Sequence, residues 1–132
     1  MTLEPHVQAT RYTVNCVPAD SSPDAHVFEI AVEWRGGDRW AVTRHHKSLS
    51  SDGKWSWGPD WPADDPGSRE PKNDAEWAEY HAVRDAWTAS HRHDLDTALK
   101  LAREAAPHVT VNGLTPAAAL ERITRLRAEP TA

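Results

Sequence analysis

The stretch VFEIAVEWRGGDRWAV, residues 27–42, carries the clearest signal of the fold, because two runs of β-favouring residues flank a pair of glycines. In the first run, apolar side chains fall at every second position, which is the repeat of a β-strand that buries one face. The predicted buried face carries Phe28, Ile30, Val32 and Trp34. Gly36 and Gly37 then supply a turn, so the stretch predicts an antiparallel hairpin.

The register of this hairpin follows from its buried face. A two-residue turn over the glycines would place Trp34 opposite Arg39 and would turn the apolar side chains of the second strand toward solvent. Pairing Trp34 with Trp40 keeps both indoles on one face. The pairs that follow are Val32 with Val42 and Glu29 with His45. We therefore predict a connection of three or five residues, with a glycine at the position of positive φ.

A further strand is predicted before the hairpin. The run RYTVNCV, residues 11–17, alternates in the same way. Its inward face is expected to carry Tyr12, Val14 and Cys16. Since a buried thiol behaves as a small apolar group, we expect Cys16 to be structural rather than reactive.

Two more β-favouring runs follow the glycine turn. The second hairpin strand is expected to continue through RWAVTRHHKSL, residues 39–49, which would set His45 and His46 on opposite faces. A Ser-Asp-Gly turn then leads into KWSWG, residues 54–58, where the two tryptophans share one face.

The segment GPDWPADDPGSREPK, residues 58–72, is predicted to be a Pro/Asp-rich loop. A helix is expected to follow, with Asn73 or Asp74 as its N-cap. Its apolar stripe comprises Trp77, Tyr80, Val83 and Trp87. An interruption near residues 90–94 would divide this segment into two helices, although one long bent helix over 73–106 stays an alternative.

The remaining signals complete an α+β pattern. Asp94 is the expected N-cap of the next helix. The run HVTVNG, residues 108–113, is expected to form a short strand, and Thr115–Pro116 is expected to start a last helix. The predicted fold is an antiparallel sheet of three to four strands followed by two to three helices packed on one face. We expect a single domain over residues 1–132.

Composition narrows the class of protein. A chain of 132 residues with one cysteine and no apolar run of about 20 residues is expected to be a cytoplasmic protein with no membrane span. Acidity is concentrated, since residues 60–90 hold eight of the 20 acidic residues and three of the 15 basic ones. Sequence-tolerant nucleic-acid binding usually needs a basic excess, so this function is not favoured.

The chain has seven tryptophans and one phenylalanine, so most of its tryptophans are expected in the core. Trp61 is the exception, because it lies among prolines and acids outside any amphipathic pattern. Either its ring folds back and holds the loop, or it is presented to another protein. The predicted partner-binding surface comprises Trp57, Asp60, Trp61, Asp64 and Asp65. Its carboxylates would suit a basic partner with an apolar pocket.

Eight histidines raise the alternative of a metal-binding module or a metal-dependent enzyme. The candidate ligands are His81, His91 and His93, of which the last two can share an ion only in an extended segment. The sequence contains neither HExxH nor CxxC. We therefore expect no metal and no cofactor.

Motifs of other chemistries are also missing from the sequence, which has no GxSxG and no phosphate-binding glycine loop. No catalytic residue is assigned, and a non-enzymatic protein is favoured. A nucleic-acid-binding accessory protein is a second alternative. Its contacts would be Arg44, Lys47, Arg122, Arg125 and Arg127.

The phrases RWAV, DGKWSWGP and HRHDLDTALKLAREAAPHVTVNGLTPAAAL resemble small uncharacterised proteins of actinobacteria and their phages. The resemblance covers residues 39–58 and 91–120. It implies an intracellular accessory protein encoded on a phage or another mobile element, and it brings no catalytic residue. We therefore expect a small adaptor or inhibitor that binds an unidentified protein, with self-association left open.

Overall fold

The computed structural model describes residues 3–62 and 69–128. In these residues one antiparallel sheet is followed by helices, which confirms the predicted α+β fold with one strand more than expected. The strands, adjacent in chain order, are β1 (Arg11–Val14), β2 (Ile30–Trp34), β3 (Trp40–Arg44), β4 (Lys47–Leu49) and β5 (Trp55–Ser56). The α-helices are α1 (Asp74–Ser90), α2 (Leu95–Ala105) and α3 (Pro116–Ala128). Short 3₁₀ helices occupy Ala25–Phe28 and Ala106–His108.

The register of the β2–β3 hairpin is confirmed. Trp34 pairs with Trp40, and Val32 pairs with Val42. The connection is five residues long and is closed by the Arg35 amide, which donates to the Arg39 carbonyl at 2.9 Å. Both of its glycines have positive φ, 98° and 56°. A residue with a Cβ adopts such angles at a cost, so the glycines are required by the turn.

The extra strand arises because the run 39–49 reverses direction instead of continuing. His45 and His46 have φ of 48° and 67° and form the two-residue turn between β3 and β4. The expected placement of these histidines on opposite strand faces, and the pairing of Glu29 with His45, were therefore wrong. In a continuous strand Val42 and Leu49 would point to opposite faces. The reversal buries both of them, at 0% and 2% exposure.

The expected inward position of Cys16 was also wrong. Strand β1 ends at Val14, and Asn15 turns the chain. The Asn15 side chain donates to the Ala25 carbonyl and accepts from the Val17 amide, both at 2.8 Å. This turn directs Val17 into the core and leaves the Cys16 thiol exposed.

The predicted helix starts are confirmed by side-chain caps. The Asn73 side chain accepts from the Glu76 amide at 2.9 Å, and Asp94 accepts from the Thr97 amide at 2.8 Å. These hydrogen bonds satisfy amides that have no partner within the helix. Residues 91–94 separate α1 from α2, so the alternative of one long helix is excluded.

The last helix starts as predicted, but the strand expected before it does not form. The Thr115 hydroxyl accepts from the Ala118 amide at 3.2 Å, with Pro116 at the first helical position. Residues 111–114 make an isolated bridge across a tight turn at Asn112–Gly113, where φ is 50° and 79°. An Asn-Gly pair is the preferred sequence for a turn of this kind, so the turn replaces the strand.

The core lies between the sheet and α2. Ala98 and Ala102 are fully buried, and their small size lets the helix approach β2 and β3 closely. The segment before α2 is fixed to the sheet because His93 and Trp40 exchange two backbone hydrogen bonds, at 2.7 and 2.9 Å.

Helix α1 buries none of its residues, which corrects the expectation that its aromatic stripe is core. Trp77 is 43% exposed, and Trp87 is half-buried. The stripe packs instead on β5 and on the chain that follows it. The Trp87 indole N–H donates to the Ser56 hydroxyl at 3.0 Å, and the Tyr80 ring meets the Trp61 ring edge to face at 5.8 Å.

Candidate binding surface

The structure describes three of the five residues of the predicted partner surface, and these three differ in exposure. Trp57 and Asp60 are exposed, Trp57 by 70%. Trp61 is only 5% exposed, so its ring folds back as one of the two alternatives proposed. Asp64 and Asp65 lie outside the described residues. The exposed indole of this segment is therefore that of Trp57, although both tryptophans of KWSWG were expected to face the core.

Trp61 connects the segment after β5 to α1. Besides its contact with Tyr80, the indole carries the Arg69 guanidinium 5.0 Å from its ring centre. Arg69 in turn donates two hydrogen bonds to the Glu76 carboxylate, at 2.7 and 2.8 Å. We call Trp61, Arg69, Glu76 and Tyr80 the loop clamp, because their contacts hold Trp61 and Arg69 against α1.

The loop clamp also changes the pKa of Glu76. The hydrogen bonds from Arg69, and after them that from the Lys72 amide, lower the pKa of Glu76 from 4.5 to about 2. A carboxylate that accepts several hydrogen bonds is favoured in its charged form. The clamp is thus complete at neutral pH and is weakened in strong acid.

Trp57 lines a groove of about 760 Å³ between the β4–β5 end of the sheet and α2 with its following 3₁₀ helix. Its floor is apolar and comprises Leu49, Trp55, Leu101, Ala105 and Val109. Its polar rim comprises Arg44, His45, Lys47, Glu104, His108 and Thr110. We call this the basic groove, because the rim holds two side chains of fixed positive charge against one carboxylate.

Turn geometry places the cations of the basic groove. Arg44 and Lys47 face each other as the last pair before the His45–His46 turn, so both reach the same end of the groove. The Lys47 ammonium lies 5.3 Å from the ring centre of Trp57. A cation at this distance from an indole face is attracted by the ring quadrupole. The indole therefore stands beside a positive charge, although the segment that carries it is acidic.

Arg44 is held in place by backbone carbonyls. Its guanidinium donates to the Val27 carbonyl at 2.8 Å and to the Glu29 carbonyl at 3.0 Å. Burial lowers the pKa of Arg44, while the Glu29 carboxylate acts in the opposite direction. Arginine remains charged under all ordinary conditions. The groove thus has one cation held by backbone carbonyls and one that lies over an indole ring.

The opposite face of the sheet bears a second cavity, of about 780 Å³, which is lined mostly by polar residues and shares Arg44 and His45 with the basic groove. Its charges are largely paired with one another. Arg11 contacts Glu29 at 3.3 Å, Arg35 contacts Glu33 at 3.8 Å, and the Thr43 hydroxyl donates to Glu33 at 2.5 Å. This face is therefore less suited to an ionic ligand than the basic groove.

The three histidines considered as metal ligands are not brought together. His81 is exposed on α1, where its ring lies 5.7 Å from that of Trp77. His93 is buried, and its Nε2 lies 3.0 Å from the Leu49 carbonyl. His91 stacks on Trp87 at 4.1 Å with its Nδ1 2.7 Å from the Trp87 carbonyl. Among the described residues no group of three metal-ligating side chains is found.

The basic residues considered for nucleic acid fall on two different surfaces. Arg44 and Lys47 line the basic groove, whereas Arg122 lines a groove of about 370 Å³ beside α3. Arg127 uses its guanidinium to donate to the Ser21 carbonyl at 2.5 Å. The arginines of α3 therefore do not extend the rim of the basic groove.

The chain matches no protein-family model, no curated protein and no solved structure. In the part of the chain that the structure describes, no helix is long and apolar enough to cross a membrane.

Sequence reasoning missed most of the basic groove. Leu101 lies in the second half of α2, and Val109 is the residue after the 3₁₀ helix that follows α2. Only the tertiary fold brings both of them into one groove with Trp55. The one available signal was the run Arg44 to Lys47, which combines two cations with two histidines. A continuous strand would have spread these side chains over both faces, so the turn was needed to recognise their convergence.

Proposed function

We propose that this protein is a small non-enzymatic accessory protein, an adaptor or inhibitor, that acts by binding another protein. The proposal includes a cytoplasmic location and an origin in actinobacteria or their phages. Its main support is Trp57, which is 70% exposed and lines the basic groove. Tryptophan is enriched among the residues that dominate the binding energy of protein interfaces.

The arrangement around Trp57 supports this proposal further. The residue is followed by Asp60, which is exposed, and by Trp61, which is held in the loop clamp. An exposed aromatic side chain on a segment fixed at its far end loses little conformational entropy when it binds. The proposed contact surface is therefore Trp57, Asp60 and the basic groove, with Trp61 as the residue that fixes the segment.

The proposal is tested by affinity capture from an actinobacterial lysate with three forms of the protein. We expect one protein to be retained by the native chain and lost with Trp57→Ala. Trp77→Ala is the matched control, because Trp77 is a half-exposed tryptophan that does not line the basic groove. It should retain the captured protein.

Thermal unfolding of each variant separates loss of binding from loss of structure. Removal of the exposed Trp57 side chain should change the free energy of unfolding by about 0.5 kcal/mol or less. Equal capture by the native chain and Trp57→Ala, or equal loss with both tryptophan variants, would contradict the proposal.

A further inference from the structure

We infer that the basic groove accepts an acidic segment of the partner, with one apolar side chain in the floor and carboxylates at Arg44 and Lys47. This inference rests on the proposed function and specifies the chemistry of the partner. An acidic partner segment differs from the basic partner that the carboxylates of residues 58–72 suggested. The basic groove and residues 58–72 carry opposite charges, and it is the basic groove that the exposed indole of Trp57 lines.

The size and lining of the basic groove fit a short peptide segment that inserts one apolar side chain. Its volume of about 760 Å³ lies within the range of about 300–1,000 Å³ usual for binding pockets. The floor is formed by Leu49, which is 2% exposed, and by the half-buried Leu101 and Trp55. Apolar atoms at the bottom of a concave site favour an apolar side chain because its burial removes both surfaces from water.

The rim of the groove selects the charge of the residues next to that side chain. Arg44 and Lys47 contribute two positive charges, and Glu104 contributes one negative charge, while the Glu29 carboxylate acts on Arg44 from the second cavity. The chain as a whole has a net charge of −5, so this rim is a local reversal of sign. Complementary charge across an interface raises the association rate and excludes partners of the wrong sign.

Two features make the cations suited to carboxylates in particular. The Arg44 guanidinium is positioned by two backbone carbonyls, and a fixed guanidinium fork can bind a carboxylate with little further ordering. Lys47 lies over Trp57, so an acidic residue that meets the ammonium brings its neighbours onto the indole. Charge and apolar contact are thus coupled within one short segment.

The inference is tested by selecting peptides from a random-peptide display library on three immobilised forms of the protein. Peptides selected on the native chain should be enriched in Asp and Glu next to an apolar residue. Lys47→Glu should lose this enrichment and bind the native-selected peptides about tenfold more weakly. Lys54→Glu is the matched control, because Lys54 is exposed, carries the same charge and does not line the groove. It should select as the native chain does.

Selection of basic peptides, of no peptides, or of the same peptides by Lys47→Glu would overturn the inference. Tryptophan fluorescence measures the affinity for an oligothymidylate 15-mer and for the selected peptides. If the oligonucleotide binds more tightly than the peptides, the inference is overturned in favour of single-stranded nucleic acid. A protein captured through Trp57 but bound equally by Lys47→Glu would leave the proposed function standing and remove this inference alone.

Discussion

At the scale of the residue, the same side chain has opposite roles at two positions. Trp40 is 6% exposed, packs against Tyr12 with ring centres 5.6 Å apart and forms the backbone bridge to His93. Trp57 is 70% exposed and contacts Lys47. Their sequence contexts are similar, since each lies in a short β-favouring run, so residue type and pattern do not distinguish them.

This contrast predicts different effects on stability. Trp40→Ala should lower the free energy of unfolding by about 3–5 kcal/mol, because it removes a buried indole and leaves a cavity. Trp57→Ala should lower it by about 0.5 kcal/mol or less. Urea unfolding followed by circular dichroism measures both, and similar losses for the two variants would show that Trp57 is part of the core.

At the scale of the element, features that depend on local interactions were predicted correctly more often than features that depend on tertiary contacts. The caps at Asn73 and Asp94 and the Trp34–Trp40 register depend on neighbours in the sequence or on one hairpin, and they were confirmed. The His45–His46 turn was missed because neither residue is a usual turn former. It follows from the need to bury Val42 and Leu49 on the same side, which only the assembled sheet imposes.

The His45–His46 turn predicts a stabilising substitution. Both residues have positive φ, which costs a residue with a Cβ about 1–2 kcal/mol unless local interactions offset it. The double variant His45→Asn and His46→Gly should therefore raise the free energy of unfolding by about 1 kcal/mol. His45→Val with His46→Val should lower it, because β-branched residues are poorly tolerated there. Equal stability of the two double variants in urea would contradict this account of the turn.

The loop clamp predicts a dependence on pH. The folded-state pKa of Glu76 is lowered from 4.5 to about 2, so its contribution to stability is present above pH 4.5 and is lost as the pH falls toward 2. The melting temperature of Glu76→Gln should lie below that of the native chain near pH 6. The difference should shrink as the pH is lowered through this window. A constant difference would mean that the hydrogen bonds from Arg69 do not favour the charged carboxylate.

At the scale of the whole molecule, the sheet and α2 form the core, while α1 and the segment after β5 are joined by the loop clamp. The basic groove lies where β4, β5, α2 and its 3₁₀ extension meet. The predicted surface contributed Trp57 and Asp60 to the proposed site, and the alternating pattern predicted the sheet. The groove could not be predicted, because its walls come from residues about 50 positions apart in the chain that only tertiary packing brings together.

Binding at the basic groove is tested by a ¹H–¹⁵N spectrum of the seven tryptophan indoles, recorded while the captured partner is added. The indoles report from separate places, since Trp34 donates to the Gly37 carbonyl, Trp87 donates to Ser56, and Trp55 and Trp57 line the basic groove. We expect the Trp55 and Trp57 signals to shift first and most, while that of Trp34 stays in place. Shifts confined to Trp77 or Trp34, with the groove signals unchanged, would place the partner elsewhere and contradict this expectation.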